Sequence, residues 1–467
     1  MMQDQEHHLK KRLSSRHIQL IALGGAIGTG LFLGIGQTIQ LAGPSVILGY
    51  GIAGLIAFLI MRQLGEMIVE NPVSGSFSQF AFDYWGKLPS FISGWNYWIL
   101  YILVGMAELS AIGVFINFWW PDFPKWASAL IFFTLINAIN FVSVKFFGEM
   151  EFIFSCIKII AILGMICFGI YLLVSGAGGE HATVTNLWAL GGFFPNGLHG
   201  LVMSMAVIMF AFGGLELLGI SAAETASPEK TLPKAVNQIV YRVLIFYVGS
   251  ITVLLSLYPW NKVAEGGSPF VMIFHSLNSD LTAGILNFVV LTAAVSVYNS
   301  CVYSNSRMLF GLAKQGNAPK VLGKVNGRGI PVQALTFSSL CTVGCVAINY
   351  FVPDKAFSLL MLLAVVAIII NWVMISLIHL KFRKAKAAQN YKCKFQSFGY
   401  PFTNYLTIAF MVGILVIMLF SEGMRVAVFM LPVWLIFLTV AYMVKEKKSV
   451  TQHKAQNESC SNAVSND

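Results

Sequence analysis

Charge is what this sequence has least of. Asp, Glu, Lys and Arg together make 11% of its 467 residues, against roughly a quarter in a soluble domain. With 57% hydrophobic residues and a mean hydropathy of +0.74, the chain cannot cover a water-facing surface and reads as an integral membrane protein. Histidine is sparse as well. His7, His8 and His17 stand near the start, His181 and His275 in external loops, His453 in the tail, and His199 and His379 at span ends. None of them pairs at depth with a nucleophile or a metal cluster, which argues against an intramembrane enzyme. The seven cysteines show neither metal-ligand spacing nor a disulfide framework, so no metal and no other cofactor is expected. The opening MMQDQEHHLKKRLSSRH lacks a small-residue cleavage site, so no removable signal is expected either. Low-complexity tracts are missing.

What the chain does have is long apolar runs. A window of about 20 apolar residues finds candidate spans near 18–40, 44–68, 88–116, 126–144, 152–174, 199–221, 239–258, 281–309, 332–350, 356–378, 403–421 and 425–443. The third and eighth are long enough to be steeply tilted. The net charge of +10 could suggest a nucleic-acid partner, but its placement argues otherwise. With both termini assigned to the cytoplasm, 25 of the 30 Lys and Arg fall in inside segments and only Lys125, Lys262, Lys355 and Arg425 fall outside. That bias is the topology signal of a multi-pass protein. Basic residues near the inner surface are expected to meet lipid headgroups. The organisation expected is a cytoplasmic segment 1–17, a transmembrane domain 18–443, and a polar, disordered cytoplasmic tail 444–467.

One apolar stretch, IALGGAIGTGLFLG (21–34), carries five glycines. Each interior glycine costs a helix about 1 kcal/mol relative to alanine, and hydrocarbon offers no water to a freed backbone group. The spacings Gly24/Gly28 and Gly30/Gly34 fit close helix packing. A dinucleotide loop is excluded, since no strand precedes the stretch. A second interrupted span, MFAFGGLELLGISAAE (209–224), holds the pair Gly213 and Gly214 with Glu216 beyond it. Glycine-broken spans at matching places in two halves point to a transporter binding site. The expected fold is therefore an all-α polytopic membrane protein with 12 transmembrane helices. Spans 1–5 and 6–10 form a 5+5 inverted repeat broken in spans 1 and 6, and spans 11 and 12 are appended. A broken helix offers amides at one half-helix end and carbonyls at the other. The first favours a carboxylate and the second an ammonium group, so the substrate class is an α-amino acid. A channel would need a continuous pore instead of two opposed breaks.

Longer strings carry a resemblance: RHIQLIALGGAIGTGLFLG (16–34), MRQLGEM (61–67), GSFSQFA (75–81), SGWNYW (93–98), KFFGEME (145–151), FGGLELLGISAAETASPEKTLPKA (212–235), SVYNSCVYSNSRMLFGLAKQGNAPK (296–320) and RGIPV (328–332). With these, the chain over roughly residues 9–445 resembles the amino acid permeases of the amino acid–polyamine–organocation superfamily. It looks closest to the bacterial general aromatic amino acid permeases. The resemblance implies import of phenylalanine, tyrosine and tryptophan across the bacterial inner membrane by proton symport with alternating access. The alternatives are a proton symporter specific for phenylalanine or another neutral amino acid, and an amino acid exchanger. It also implies that Gly28, Thr29 and Gly30 hold the substrate carboxylate. The carbonyls around Ala22, Gly24 and Gly25 would neighbour the amine together with 210–213, which includes Gly213. Phe210 or Phe212 would cover the substrate.

Three further residues stand out. Lys158 lies within the apolar run FSCIKIIAILG (154–164). It reads either as a lysine snorkelling to the inner surface or as a functional intramembrane charge. The resemblance favours the second, because proton-coupled relatives place a span 5 lysine where sodium-coupled cousins bind their ion. Glu216 is either a helix-bridging hydrogen-bond partner or a second proton-coupling group. Tyr97, Tyr101 and Glu108 share one face of span 3, which makes Tyr101 a candidate pocket contact, though an aromatic stripe is also ordinary packing. Span 8 is polar from Ser296 to Asn305 and reads as interhelical glue or as a route past Lys158. The segments joining spans 2 and 3 and following span 8 are expected as short amphipathic helices at the inner surface.

Overall fold

Apolar sequence in a bilayer leaves the backbone to satisfy its own polar groups, and the helix is the local solution. The computed structural model describes residues 27–73, 76–142, 144–222, 228–263, 267–276 and 280–464. Among the described residues the secondary structure is helical, with no strand. In chain order the helices are α1 (Thr29–Phe32), α2 (Gly34–Ala42), α3 (Val46–Glu70), α4 (Phe77–Tyr84), α5 (Lys87–Asn117), α6 (Lys125–Val142), α7 (Val144–Ser175), α8 (Gly197–Phe210) and α9 (Leu217–Ala222). There follow α10 (Pro228–Arg242), a π-helical stretch Val243–Gly249, α11 (Ser250–Leu257), α12 (Pro269–Ser276) and α13 (Asp280–Lys314). The chain closes with α14 (Val332–Thr342), α15 (Gly344–Phe351), α16 (Ala356–Ala388), α17 (Phe402–Phe420) and α18 (Arg425–Val464). Ten helical stretches among the described residues are long and apolar enough to cross a membrane; Gly34–Glu70 counts as one of them, and Gly197–Phe210 is a shorter apolar helix.

Burial sorts these helices into a centre and a rim. The most apolar windows of α5 and α16 are 78% buried, whereas that of α18 is 17% buried. Helix α5 packs along both α13 and α16, while α2 packs on α8. The outer helices show the lipid large side chains, such as Ile160 and Val174 on α7. The opposite stripe of α7, Glu151, Ser155, Lys158, Ile162 and Met165, is buried. These residues recur at three and four, so one helix face carries them all.

Two segments differ from their sequence expectation. Residues 306–314 form no separate surface helix but continue α13, because Met308, Leu309, Phe310 and Leu312 are buried against the bundle. The last helix runs on to Val464 where a disordered tail from 444 was expected. Its Lys, Glu, Gln and Ala residues are good helix formers and extend a helix already nucleated in the apolar part.

The loop 389–401 is strapped onto the end of α3. Glu66, fully buried, accepts from Arg383 Nη1 at 2.7 Å and from the Ser397 amide at 2.7 Å, and meets His379 Nε2 at 2.9 Å. One turn on, Glu70 accepts from Tyr391 Oη at 2.7 Å and the Lys394 amide at 2.6 Å. Arg62 donates to the Gln396 carbonyl and stacks over Phe395 and Phe398. This clasp carried no recognisable signal in the sequence.

Candidate substrate and coupling site

Helix α1 begins at Thr29 behind an extended Gly28, whose carbonyl accepts from the Leu31 amide at 3.2 Å and the Phe32 amide at 3.3 Å, so the amides left without a carbonyl of their own helix are those of Thr29 and Gly30. Beside this end stands Glu108 of α5, buried at 2% exposure. Thr29 Oγ1 donates to Glu108 Oε1 at 2.8 Å, and the Thr29 amide adds to the same carboxyl. Across from it, α8 ends at Phe210 and the chain turns through 211–216 before α9. Tight bonds Ala211 N to Ile208 O (3.0 Å), Phe212 N to Met209 O (3.1 Å) and Gly213 N to Phe210 O (3.1 Å) close that turn. Gly214 within it takes φ +97°, a conformation side chains rarely adopt. The Ala211 carbonyl is satisfied from outside the turn, by Tyr247 Oη at 2.8 Å, as a freed carbonyl at membrane depth requires.

The start of α1 and the 211–216 turn meet. A side chain at Gly30 would begin 2.5 Å from Ala211 Cα, so glycine is what lets the backbones approach. Between them lies a cavity of about 20 Å³ lined by Gly28, Gly30, Val104, Glu108, Phe210, Ala211, Gly213 and Val297. It has room for a water but not for an amino acid.

Of the residues singled out in the sequence, Gly28, Gly30, Phe210 and Gly213 line this cavity and Thr29 bonds its acid. Ala22, Gly24 and Gly25 lie outside the described residues. The two phenylalanines part company. Phe210 lines the cavity and meets the Phe357 ring edge-on at 6.2 Å. Phe212 is stacked on Tyr247 at 4.9 Å and tilted against Tyr50, away from the lining. Glu216 is fully buried as a brace between helices: Tyr101 Oη of α5 donates to Oε1 at 3.2 Å and Trp372 Nε1 of α16 to Oε2 at 3.4 Å. Tyr101 also packs edge-on against Tyr97, with ring centres 5.1 Å apart. Lys158 is fully buried, within electrostatic reach of Glu151, Glu108 and Arg242. The polar face of α13 does two jobs. Tyr298 Oη and Asn299 Oδ1 accept from Asn137 and Asn140 of α6, and Ser296 Oγ donates to Glu151 Oε1 at 2.7 Å.

Sequence reasoning left Val104, Val297 and Trp372 unmarked, since single aliphatic or aromatic residues in apolar spans carry no signal. Glu108 did carry one, an acid on the tyrosine-bearing face of span 3.

Long apolar helices packed around a small cavity, lined by the start of α1, the 211–216 turn and the buried acid Glu108, have the architecture of a membrane transporter for small molecules. The amino acid permease family matches residues 17–455, and the chain belongs to that family. It is thus a permease and not an enzyme. Among curated relatives it is 60% identical over 457 residues to the aromatic amino acid transport protein AroP of Escherichia coli strain K12, covering 97% of this chain and 100% of that one. The AroP protein of Salmonella typhimurium strain LT2 is also 60% identical, over 97% of this chain and 99% of its own. An uncharacterized amino acid permease of Bacillus subtilis, YtnA, is 43% identical over 98% and 100%.

Proposed function

We propose that this permease imports phenylalanine, tyrosine and tryptophan across a bacterial inner membrane by proton symport, with alternating access around the cavity between α1 and the 211–216 turn. The aromatic class is supported by the 60% identity to AroP proteins over nearly the whole chain. The observation that carries the mechanism is the Glu108 carboxyl on the Thr29 end of α1. A half-helix start that receives one carboxyl group has the donors and dipole to receive another, that of an amino acid. In this reading the substrate carboxylate takes the Thr29 end with Gly28 and Gly30. The ammonium group meets carbonyls of the two interruptions, those around Ala22, Gly24 and Gly25 included, and Phe210 covers the ring. Admission of a substrate far larger than the cavity requires the two interruptions to move apart, which is the opening half of an alternating-access cycle.

The proposed frame is twelve spans, two inverted repeats of five with two appended, and both termini in the cytoplasm. The inside excess of Lys and Arg supports that orientation. Lys158 carries the coupled proton, because it reaches both the cavity acid Glu108 and Glu151. Glu216 holds the turn in place, each of its oxygens already accepting a hydrogen bond.

The test is uptake of labelled Phe, Tyr and Trp into proteoliposomes, with and without an inward proton gradient. Gradient-dependent accumulation of all three is expected. Equal uptake without the gradient would overturn symport, and accumulation of phenylalanine alone would overturn the broad aromatic range.

A further inference from the structure

We propose that Glu151 is the inner proton acceptor of the transport cycle, taking the coupled proton from Lys158 by way of Ser155 and releasing it through a polar chain on α13 and α6. The proposal rests on the proton-symport reading above and assigns the group that empties Lys158.

Glu151, Ser155 and Lys158 succeed one another at four and three residues on the buried stripe of α7, each with no exposure. That spacing puts them on one line along the helix, with the hydroxyl between the acid and the amine. A lysine side chain leans toward the N-terminus of its own helix, here toward Ser155. Among the described residues the Ser155 hydroxyl has no hydrogen-bond partner, and Glu151 Oε2 has no well-formed one. Unpartnered buried polar atoms are costly and call for an explanation. A relay that donates and accepts in turn supplies one.

Glu151 stands outside the substrate cavity, yet it is not isolated. Ser296 donates to Oε1, with Ser300 and Asn299 beside the carboxyl. Asn299 Oδ1 accepts from Asn140 Nδ2 at 2.8 Å. Asn140 in turn lines a second cavity of about 10 Å³ with Ser306 and Arg307, near the exposed end of α13. The charged and titratable groups around the pair are Glu108 on α5, Arg242 on α10 and Cys301 on α13.

The step balances. An N–H bond at Lys158 Nζ breaks with its electron pair left on nitrogen, an O–H bond forms on Ser155 as the hydroxyl's own proton moves to Glu151, and the Glu151 proton then passes to water. During the transfer ammonium and carboxylate neutralise each other, so the buried set keeps its net charge until the proton leaves for water.

Glu151→Gln tests it in proteoliposomes with two readouts, substrate counterflow without a gradient and accumulation under an inward proton gradient. Counterflow near the wild-type rate is expected, with gradient-driven accumulation down at least about tenfold and partly restored in Glu151→Asp. Gradient-driven accumulation as in wild type would overturn the proposal, and so would equal loss of both readouts in a folded variant, which marks a structural acid. Ser155→Ala carries the test if Glu151→Gln does not fold; an unchanged accumulation rate there overturns the relay. A wild-type protein indifferent to the gradient would overturn the symport reading itself, an outcome visible before any variant is made.

Discussion

At Gly30 a single missing methyl group decides how closely α1 approaches the 211–216 turn. The nearest atoms to a side chain there are Ala211 Cα at 2.5 Å and Ala211 N at 2.8 Å, and backbone cannot retreat as a side-chain end can. At Gly28 the nearest atoms are Val297 Cγ2 at 2.9 Å and Glu108 Oε1 at 3.2 Å, both on side chains and not on backbone. Gly30→Ala is therefore expected to abolish initial-rate uptake and Gly28→Ala to leave a measurable fraction, each normalised to folded protein in the membrane. Tyr101 poses a different question. Its proton goes to Glu216, which leaves the phenolic oxygen able to accept from an indole N–H or a phenolic O–H but offers nothing to phenylalanine. Tyr101→Phe should weaken tryptophan or tyrosine uptake by roughly 2- to 13-fold, the worth of one net hydrogen bond, with phenylalanine nearly unchanged. Competition among the three on the same membranes decides it, and equal losses would assign the hydroxyl to bracing Glu216 alone.

Among the elements, the clasp of α3 on the loop 389–401 is held by several hydrogen bonds between distant residues, and Cys393 reports on it. Burial, followed by the neighbouring Glu66 and Glu70, pushes the Cys393 thiol up to about 12. An ordinary cysteine, near about 8.5, becomes largely thiolate as pH rises to 9. Cys393 stays protonated across that range, and the thiolate is the reactive form. Maleimide labelling of Cys393, followed by peptide mass spectrometry, should be slow at pH 7 and little faster at pH 9. Glu66→Gln weakens the bonds from Arg383 and Ser397, so it should expose the thiol and raise the labelling rate. Fast labelling of the wild-type protein would show that the clasp opens freely.

On the scale of the whole molecule, coupling requires that one buried charge be felt on both sides of the cycle. In the proposed cycle Lys158 takes that place, within electrostatic reach of Glu108 at the cavity and of Glu151 on its own helix. Lys158→Ala should abolish accumulation against a gradient while leaving downhill exchange of substrate in place, as measured by counterflow in proteoliposomes. A variant that still concentrates substrate under an inward proton gradient would return Lys158 to a packing role.

The membrane class, the positions of most helices and the glycine-rich stretches at 24–34 and 213–214 were legible in the sequence alone, because hydropathy, charge placement and glycine content are properties of neighbouring residues. Helix period likewise made Glu108 visible beside Tyr101 before any fold was known. The tertiary structure alone decided which broken-segment phenylalanine faces the cavity. Phe210 ends a helix while Phe212 lies in a turn, where no helical period sets the direction of a side chain. It also decided that Thr29 holds an acid 79 residues away, that Glu216 is gripped from α5 and α16, and that Glu66 gathers a remote loop. Those pairings join polar atoms from distant parts of the chain. Each forms because a polar group buried in hydrocarbon must find whatever partner the packed helices bring within reach.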